Sequence, residues 1–329
     1  MRYAICSAWR TTLLAALALL GLLLSACAPR VVYVPKRLTP EPEAVPVLSA
    51  SEAGVSGRLL FASGGDLYVI SANGVGRQAL SSGEAFESMP SWSPDGSYIA
   101  FASAAEGNQE IVIAPASAPV DASWQMQLTE GSEWAMAPAW SRNSRYIAYA
   151  SSVGGGYGIY TMEFLLLPDT HELIRYEVRR LTYDMLFQSH PSWSPDGTML
   201  AYTTDRGGQW QVYTVSAAGM YAEPLPGTAS LGSTAYPAWS PDGTQIAFAA
   251  TLHGSWDIYK CNLDGSGLTR LTQDWGQDWG PVWSPDGMWI AFTSDRSGNG
   301  DIYLVRSDGL AIVQVTDDPL PEDFPAWQP

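Results

Sequence analysis

At 329 residues the chain is long enough to bury a sizeable core, and 46% hydrophobic against 15% charged residues excludes a disordered polymer. A formal net charge of −16 argues against nucleic acid and against anionic lipid headgroups as electrostatic partners.

In chain order, residues 1–26 place Arg2 and Arg10 ahead of an apolar run from Leu13 to Leu24. At about twelve residues that run is too short to span a bilayer as a helix and reads as a secretory signal. It ends in Leu24-Ser25-Ala26-Cys27, which resembles the bacterial lipobox. The resemblance implies cleavage before Cys27 and lipid attachment to its thiol. Two or three acyl chains, at about 0.8 kcal/mol per buried CH₂, would hold the protein on a bilayer without a spanning helix. The expected location is therefore outside the cytoplasm, in the periplasm or the extracellular space. The anchor would sit on the outer face of the cytoplasmic membrane or on the outer membrane. Cys6 leaves with the signal and Cys27 becomes the anchor, so Cys261 has no disulfide partner. In the run DIYKCN it reads as a small apolar strand residue. Residues 27–57 carry five prolines and no apolar period, which predicts a stiff tether. The folded domain is expected over 58–329.

That domain repeats. PSWSPDGSYIAFAS, PSWSPDGTMLAYTT, PAWSPDGTQIAFAA and PVWSPDGMWIAFTS begin at Pro90, Pro191, Pro237 and Pro281, and a worn copy, PAWSRNSRYIAYAS, begins at Pro138. With Trp327, the motif tryptophans Trp92, Trp140, Trp193, Trp239 and Trp283 recur at intervals of 44 to 53 residues. Four short strands per unit at that period predict a β-propeller. Each unit reads as a strand reaching Trp, a Ser-Pro-Asp-Gly turn, an apolar strand such as IAFTS, a strand such as DIYLV, and a last strand ending in Leu-Thr or Val-Thr. In the turn, Pro presets φ, Asp bonds local backbone and Gly takes the positive φ. Where Arg142-Asn143-Ser144 replaces Pro-Asp-Gly, Asn143 is the residue suited to the left-handed position. The segment from Arg58 lacks a first strand, and the terminal FPAWQP supplies one. Strand pairing between the C-terminus and the N-terminal blade then closes a ring of six four-stranded antiparallel blades, an all-β fold without free sheet edges.

These repeats resemble the Pro-Asp-Gly units of TolB-type, WD-repeat-like six-bladed propellers of periplasmic proteins. Asp205-Arg206 and Asp295-Arg296 after second strands add to the resemblance, which spans nearly all of 58–329. The N-terminal α/β domain and the partner-contacting extension of the TolB protein have no counterpart here. The resemblance therefore implies the fold and a scaffold character, not a Tol-system role. The two Asp-Arg pairs read as inter-blade salt bridges.

Strand direction puts the segments before each motif proline around one mouth of the central channel. Their triplets differ from blade to blade, as ligand-reading positions do. Glu87, Met136, Gln188, His190, Tyr236, Asp278, Trp279, Glu322 and Phe324, with Trp134 and Trp275 nearby, form the candidate partner face. Acids mixed with aromatics suit an envelope protein with a basic segment. They also suit a glycan stacked on tryptophan, a small ligand or a channel cation. A second candidate is the long hairpin GIYTMEFLLLPDTHELIRYEVRRLT, whose Leu165, Leu166 and Leu167 either reach solvent or fold back on the blade edge.

Enzyme signatures are weak. There is no Gly-x-Ser-x-Gly, and the chain ends at ring closure, leaving no room for a hydrolase domain. His171-Glu172 lacks a second histidine at position 175, and His190 and His253 fall on different blades, so neither a metal nor a cofactor is expected. A lyase or cyclotransferase using Glu87, Asp278 and Glu322 remains the enzymatic alternative. The expected protein is a monomeric, lipid-anchored, non-enzymatic scaffold.

Overall fold

The computed structural model describes residues 45, 47–50, 53–104, 107–117, 125–131, 133–167, 172–184 and 186–329. Cys27, with the signal and most of the tether, lies outside the described residues, as do Pro168, Asp169 and His171. Six antiparallel sheets form a closed ring. Their inner strands are Glu322–Trp327, Glu87–Trp92, Ala135–Trp140, Gln188–Trp193, Thr234–Trp239 and Asp278–Trp283, for blades one to six. In blade one the C-terminal strand pairs with Arg58–Ser63, in the register Leu59↔Trp327 and Ser63↔Glu322. The ring closure expected from the split repeat is therefore present.

The second strands explain why the blades stack. In Tyr98–Ser103, Ile99 and Phe101 pack with Leu60, Leu67 and Val69 of blade one. Ala100 and Ala102 meet Ile147 and Tyr149 of blade three. The same large-small alternation recurs where Ala148 and Ala150 face Leu200 and Tyr202, and where Ala247 and Ala249 face Ile290 and Phe292. A strand of period two thus sets its bulky side chains against the preceding blade and its alanines against the next. Six such seams carry the core in place of a single central one. Cys261 is fully buried in one of them, where burial pushes its thiol up to about 11.

Two details depart from the sequence expectation. Val47–Ser49 runs parallel to Ile312–Gln314 and adds a fifth strand to the rim of blade six. It falls in the stretch expected to be tether. Ala50 and Val55, just behind it, are buried against Val313 and Val315, so the sheet extends ahead of residue 58. In the worn turn of blade three, Ser144 and not Asn143 adopts the left-handed conformation, with φ 57°. Asn143 instead takes the aspartate's role: its Oδ1 accepts from Ser141 Oγ at 2.7 Å and Arg145 N at 3.0 Å. Asp95 does the same with Ser93 Oγ at 2.6 Å and Ser97 N at 3.1 Å. A side chain at positive φ costs about 1 kcal/mol, so Ser144→Gly is expected to raise the unfolding midpoint by a few degrees in a thermal melt. Asn143→Gly, which removes the Asx bonds, is expected to lower it.

Candidate functional site

Each inner strand starts at one face of the ring, here called the upper face, and ends at the Ser-Pro-Asp-Gly turns of the lower face. Its first residue forms a joint between blades. The backbone N–H donates to the preceding blade, Glu87 to Gly65 O at 2.8 Å, Asp278 to Trp256 O at 2.8 Å and Glu322 to Gly300 O at 2.7 Å. The side chain is turned inward: Glu87 is 4% exposed, and Gln188, Asp278 and Glu322 are all 0%. Each pairs with the hydroxyl six residues earlier, at the end of the preceding blade's fourth strand: Ser81, Thr182, Thr272 and Thr316. Those hydroxyls also accept third-strand N–H groups, Leu67 at 2.9 Å, Ile159 at 2.8 Å, Ile258 at 2.9 Å and Ile302 at 2.8 Å. This is what the Leu-Thr motif does. Burial raises the three carboxyls, Glu87 and Asp278 to about 6 and Glu322 to about 7. Arg296 contacts Asp278 at 2.9 Å and Asp274 at 2.8 Å, and Arg77 contacts Glu322 at 2.6 Å and also Asp318.

Four expected face residues, Glu87, Gln188, Asp278 and Glu322, are therefore removed from any partner surface, because their side chains are buried inside the seams. Met136 packs between blades two, three and four. Trp279 is held by its Nε1, which donates to Asp323 Oδ1 of blade one at 2.6 Å. The Asp-Arg pairs tie connecting segments to blades: Arg206 pairs with Asp184, and Asp295 Oδ1 accepts from Gln277 N at 2.6 Å.

The third residue of every inner strand, just before the proline, has positive φ: Met89, Ala137, His190, Tyr236, Gly280 and Phe324, between 51° and 62°. The strand registers slip at this point in all six blades, a bulge that turns these residues toward the axis. They line a channel cavity of about 300 Å³, together with the six prolines that follow them. No carboxylate lines it, so a cation there would have no anionic side chain as a ligand. His190, Tyr236 and Phe324 come together, with ring centroids 4.5 Å apart for His190 and Tyr236 and 5.7 Å for His190 and Phe324. Burial holds the His190 imidazole down near about 4.

Of the expected set, Trp134 and Trp275 remain as open surface, 45% and 92% exposed. The sequence reading missed their neighbours. The residue one place ahead of each triplet accepts a backbone hydrogen bond from just beyond the second strand: Phe86 from Ala104 N, Trp134 from Ser152 N, Phe187 from Asp205 N. Blades two to four thus hold three rings at equivalent sites on the upper face. Ser233 and Gln277 occupy the corresponding sites in blades five and six. Tyr157 and Trp210 extend the row, 4.8 Å and 5.1 Å from Phe187 between ring centroids. Lining up the repeats one residue further upstream would have revealed it. The other half of the face carries Asp274, Asp317 and Asp318. In the long hairpin, Gly158–Leu167 pairs with Glu172–Arg180. Leu166 and Leu173 fold onto the seam, whereas Leu165, Tyr176 and Val178 stay exposed. A cleft of about 480 Å³ on the lower face is lined by solvated, mutually paired groups such as Arg145 and Glu163, and brings no convergent chemistry together.

The TolB beta propeller domain model (PD40) matches residues 227–328, which span blades five and six and the closing strand. Among solved structures, TolB from Acinetobacter baumannii is similar at 21% identity and a TM-score of 0.70, over 83% of this chain and 67% of that one. Putative TolB from Agrobacterium tumefaciens is similar at 22% identity and a TM-score of 0.59, over 80% and 90%. A puromycin-hydrolyzing peptidase from Mycobacterium tuberculosis shares 14% identity at a TM-score of 0.56, over 81% of this chain and 45% of that one. No curated protein matches the sequence. At these identities the likenesses show the fold.

Proposed function

Given that the chain is a TolB-type six-bladed β-propeller, we propose that it is an exported, non-enzymatic scaffold that binds an envelope protein through its upper face. The observation that carries this reading is the aromatic row Phe86, Trp134, Tyr157, Phe187 and Trp210 beside an acidic half. Large aromatic side chains with an apolar body and fixed geometry dominate protein interfaces, and the exposed Asp317, beside Asp274 and Asp318 that pair with Arg296 and Arg77, suits a basic flank on the partner. Glu87, Asp278 and Glu322, the carboxylates a lyase or cyclotransferase would use, are closed inside separate seams, which supports a non-enzymatic role. Attachment to a membrane through Cys27 belongs to the same reading and rests on the lipobox-like Leu-Ser-Ala-Cys.

A photo-reactive side chain in place of Trp134 is expected to cross-link one discrete protein in the native envelope. The same group at Met288, exposed on the lower face, is expected to give none. Trp134→Ala with Trp210→Ala should weaken the captured partner by tenfold or more, since rings of this kind contribute upwards of about 2 kcal/mol each. Equal cross-linking from both faces would remove the proposal. The 92% exposure of Trp275 favours a second reading, glycan stacking. Binding that is lost in Trp275→Ala and is indifferent to salt would select it.

A further inference from the structure

The motif indoles depart from their sixfold pattern at Trp140 and at Trp239, both of which follow a serine in the preceding blade and keep a buried Nε1 without a hydrogen-bond partner among the described residues; of the two, Trp140 lines the channel. In blades two, four and six the motif indole is satisfied by the preceding blade: Trp92 Nε1 donates to Ala326 O at 3.2 Å, Trp193 to Ala139 O at 3.1 Å and Trp283 to Ala238 O at 3.1 Å. Trp140 follows Ser91 instead of an alanine. Its Nε1 and the Ser91 Oγ are both buried without a hydrogen-bond partner among the described residues, and so is His190 Nε2. All three residues line the same cavity. Buried polar groups are paired in nearly every folded protein, so three orphans around one space mark a position where a ligand supplies the missing partners. His190 Nδ1 lies 2.8 Å from Ser189 Oγ, which fixes the ring and leaves Nε2 directed away from that bond.

We propose that the central channel is a binding site for a small uncharged organic molecule with an apolar, flat body and at least one oxygen acceptor. This site is distinct from the upper-face partner surface. The lining decides the ligand class. Six prolines, the alanines and the aromatic cluster offer apolar contact, and no charged side chain is present to compensate an ion. An indole N–H is a donor only, so the group facing Trp140 must accept: a carbonyl, ether or hydroxyl oxygen. The rings of His190, Tyr236 and Phe324 supply a stacking wall at the end near the upper face. A cavity of about 300 Å³ is at the small end of the range for organic ligands.

The test uses three probes of one size with the whole protein at neutral pH, followed by titration calorimetry: acetophenone, ethylbenzene and benzoate. Acetophenone, with ring and carbonyl, is expected to bind saturably. Ethylbenzene, which cannot accept a hydrogen bond, is expected to bind about tenfold more weakly. Benzoate, the anion, is expected not to bind. Trp140→Phe and His190→Phe should each reduce acetophenone binding about tenfold while leaving the melting curve cooperative. Ser91→Ala, a smaller change, covers the case in which a ring replacement disturbs the fold. Three results would overturn the proposal: no saturable acetophenone binding, benzoate binding as well as acetophenone, or affinity unchanged in the variants that fold.

Discussion

Deleting Phe324 to Pro329 is expected to abolish cooperative folding of the whole ring. The deletion removes Trp327, 6% exposed in the seam with blade six, and the Leu59 and Leu60 partners of the closing strand. It also removes the Ala326 carbonyl that receives Trp92 Nε1 and the Gln328 N–H that donates to Arg58 O at 2.9 Å. Loss of one buried aromatic costs about 3 to 5 kcal/mol. Losing Trp327 together with the half-buried Phe324 and a strand's pairing approaches the roughly 5 to 15 kcal/mol that holds an ordinary domain together. The damage is not local, because opening one seam exposes sheet faces on both sides. The deletion variant should show no sharp thermal transition, and a synthetic peptide of residues 320–329 added in trans should restore one. A truncated chain that melts like the intact protein would show that ring closure is unimportant.

Stability is expected to fall as pH rises from about 4 to 7. Glu322, Asp278 and Glu87 all have carboxyls raised by burial, to about 7, 6 and 6. In the unfolded chain each ionises at its ordinary, lower pKa, so across this window the folded state holds protons that the unfolded state has lost. By linkage, stability is then highest below the unfolded pKa and declines until the folded pKa is passed. For Glu322 alone the difference is on the order of 3 kcal/mol, or several degrees in the melting midpoint. Glu322→Gln keeps the Thr316 hydroxyl in contact without the charge, and Arg77 keeps Asp318. Blade four already carries this solution, because Gln188 occupies the equivalent place. The variant should flatten the profile between pH 5 and 7 and melt at or above the parent at pH 8. Glu322→Ala, which takes from the Thr316 hydroxyl proton its carboxylate partner, should melt below it. A midpoint that climbs from pH 5 to 8 would contradict this account.

Why the fold was easier to read than the site follows from which residues are constrained. The Pro-Asp-Gly turns, the motif tryptophans and the Ile-Ala-Phe-Ala strands are each dictated by local geometry or by a seam of fixed width, so they repeat in the sequence and show the six blades directly. In blades one, two, four and six the first residue of the inner strand sits in a pocket that requires only something able to meet a hydroxyl. Glu, Gln and Asp all satisfy it, and the resulting variation resembles ligand reading. Its buried character shows only when it is paired with the Ser or Thr six positions earlier. Val47–Ser49 was illegible for another reason: three residues beside prolines carry no measurable alternation, and the strand exists because the rim of blade six offers an unpaired edge.

That added strand gives the molecule a mechanical order of events. Traction applied through the residues ahead of Val47 is borne first by three residues on the rim and not by the strand that locks the ring. Peeling Val47–Ser49 and the turn behind it would release about ten residues of slack, roughly 3.4 Å each when extended, before any load reached Arg58. The added strand is therefore a short sacrificial spring ahead of the blades, able to absorb a pull from the N-terminal side while the blades stay intact.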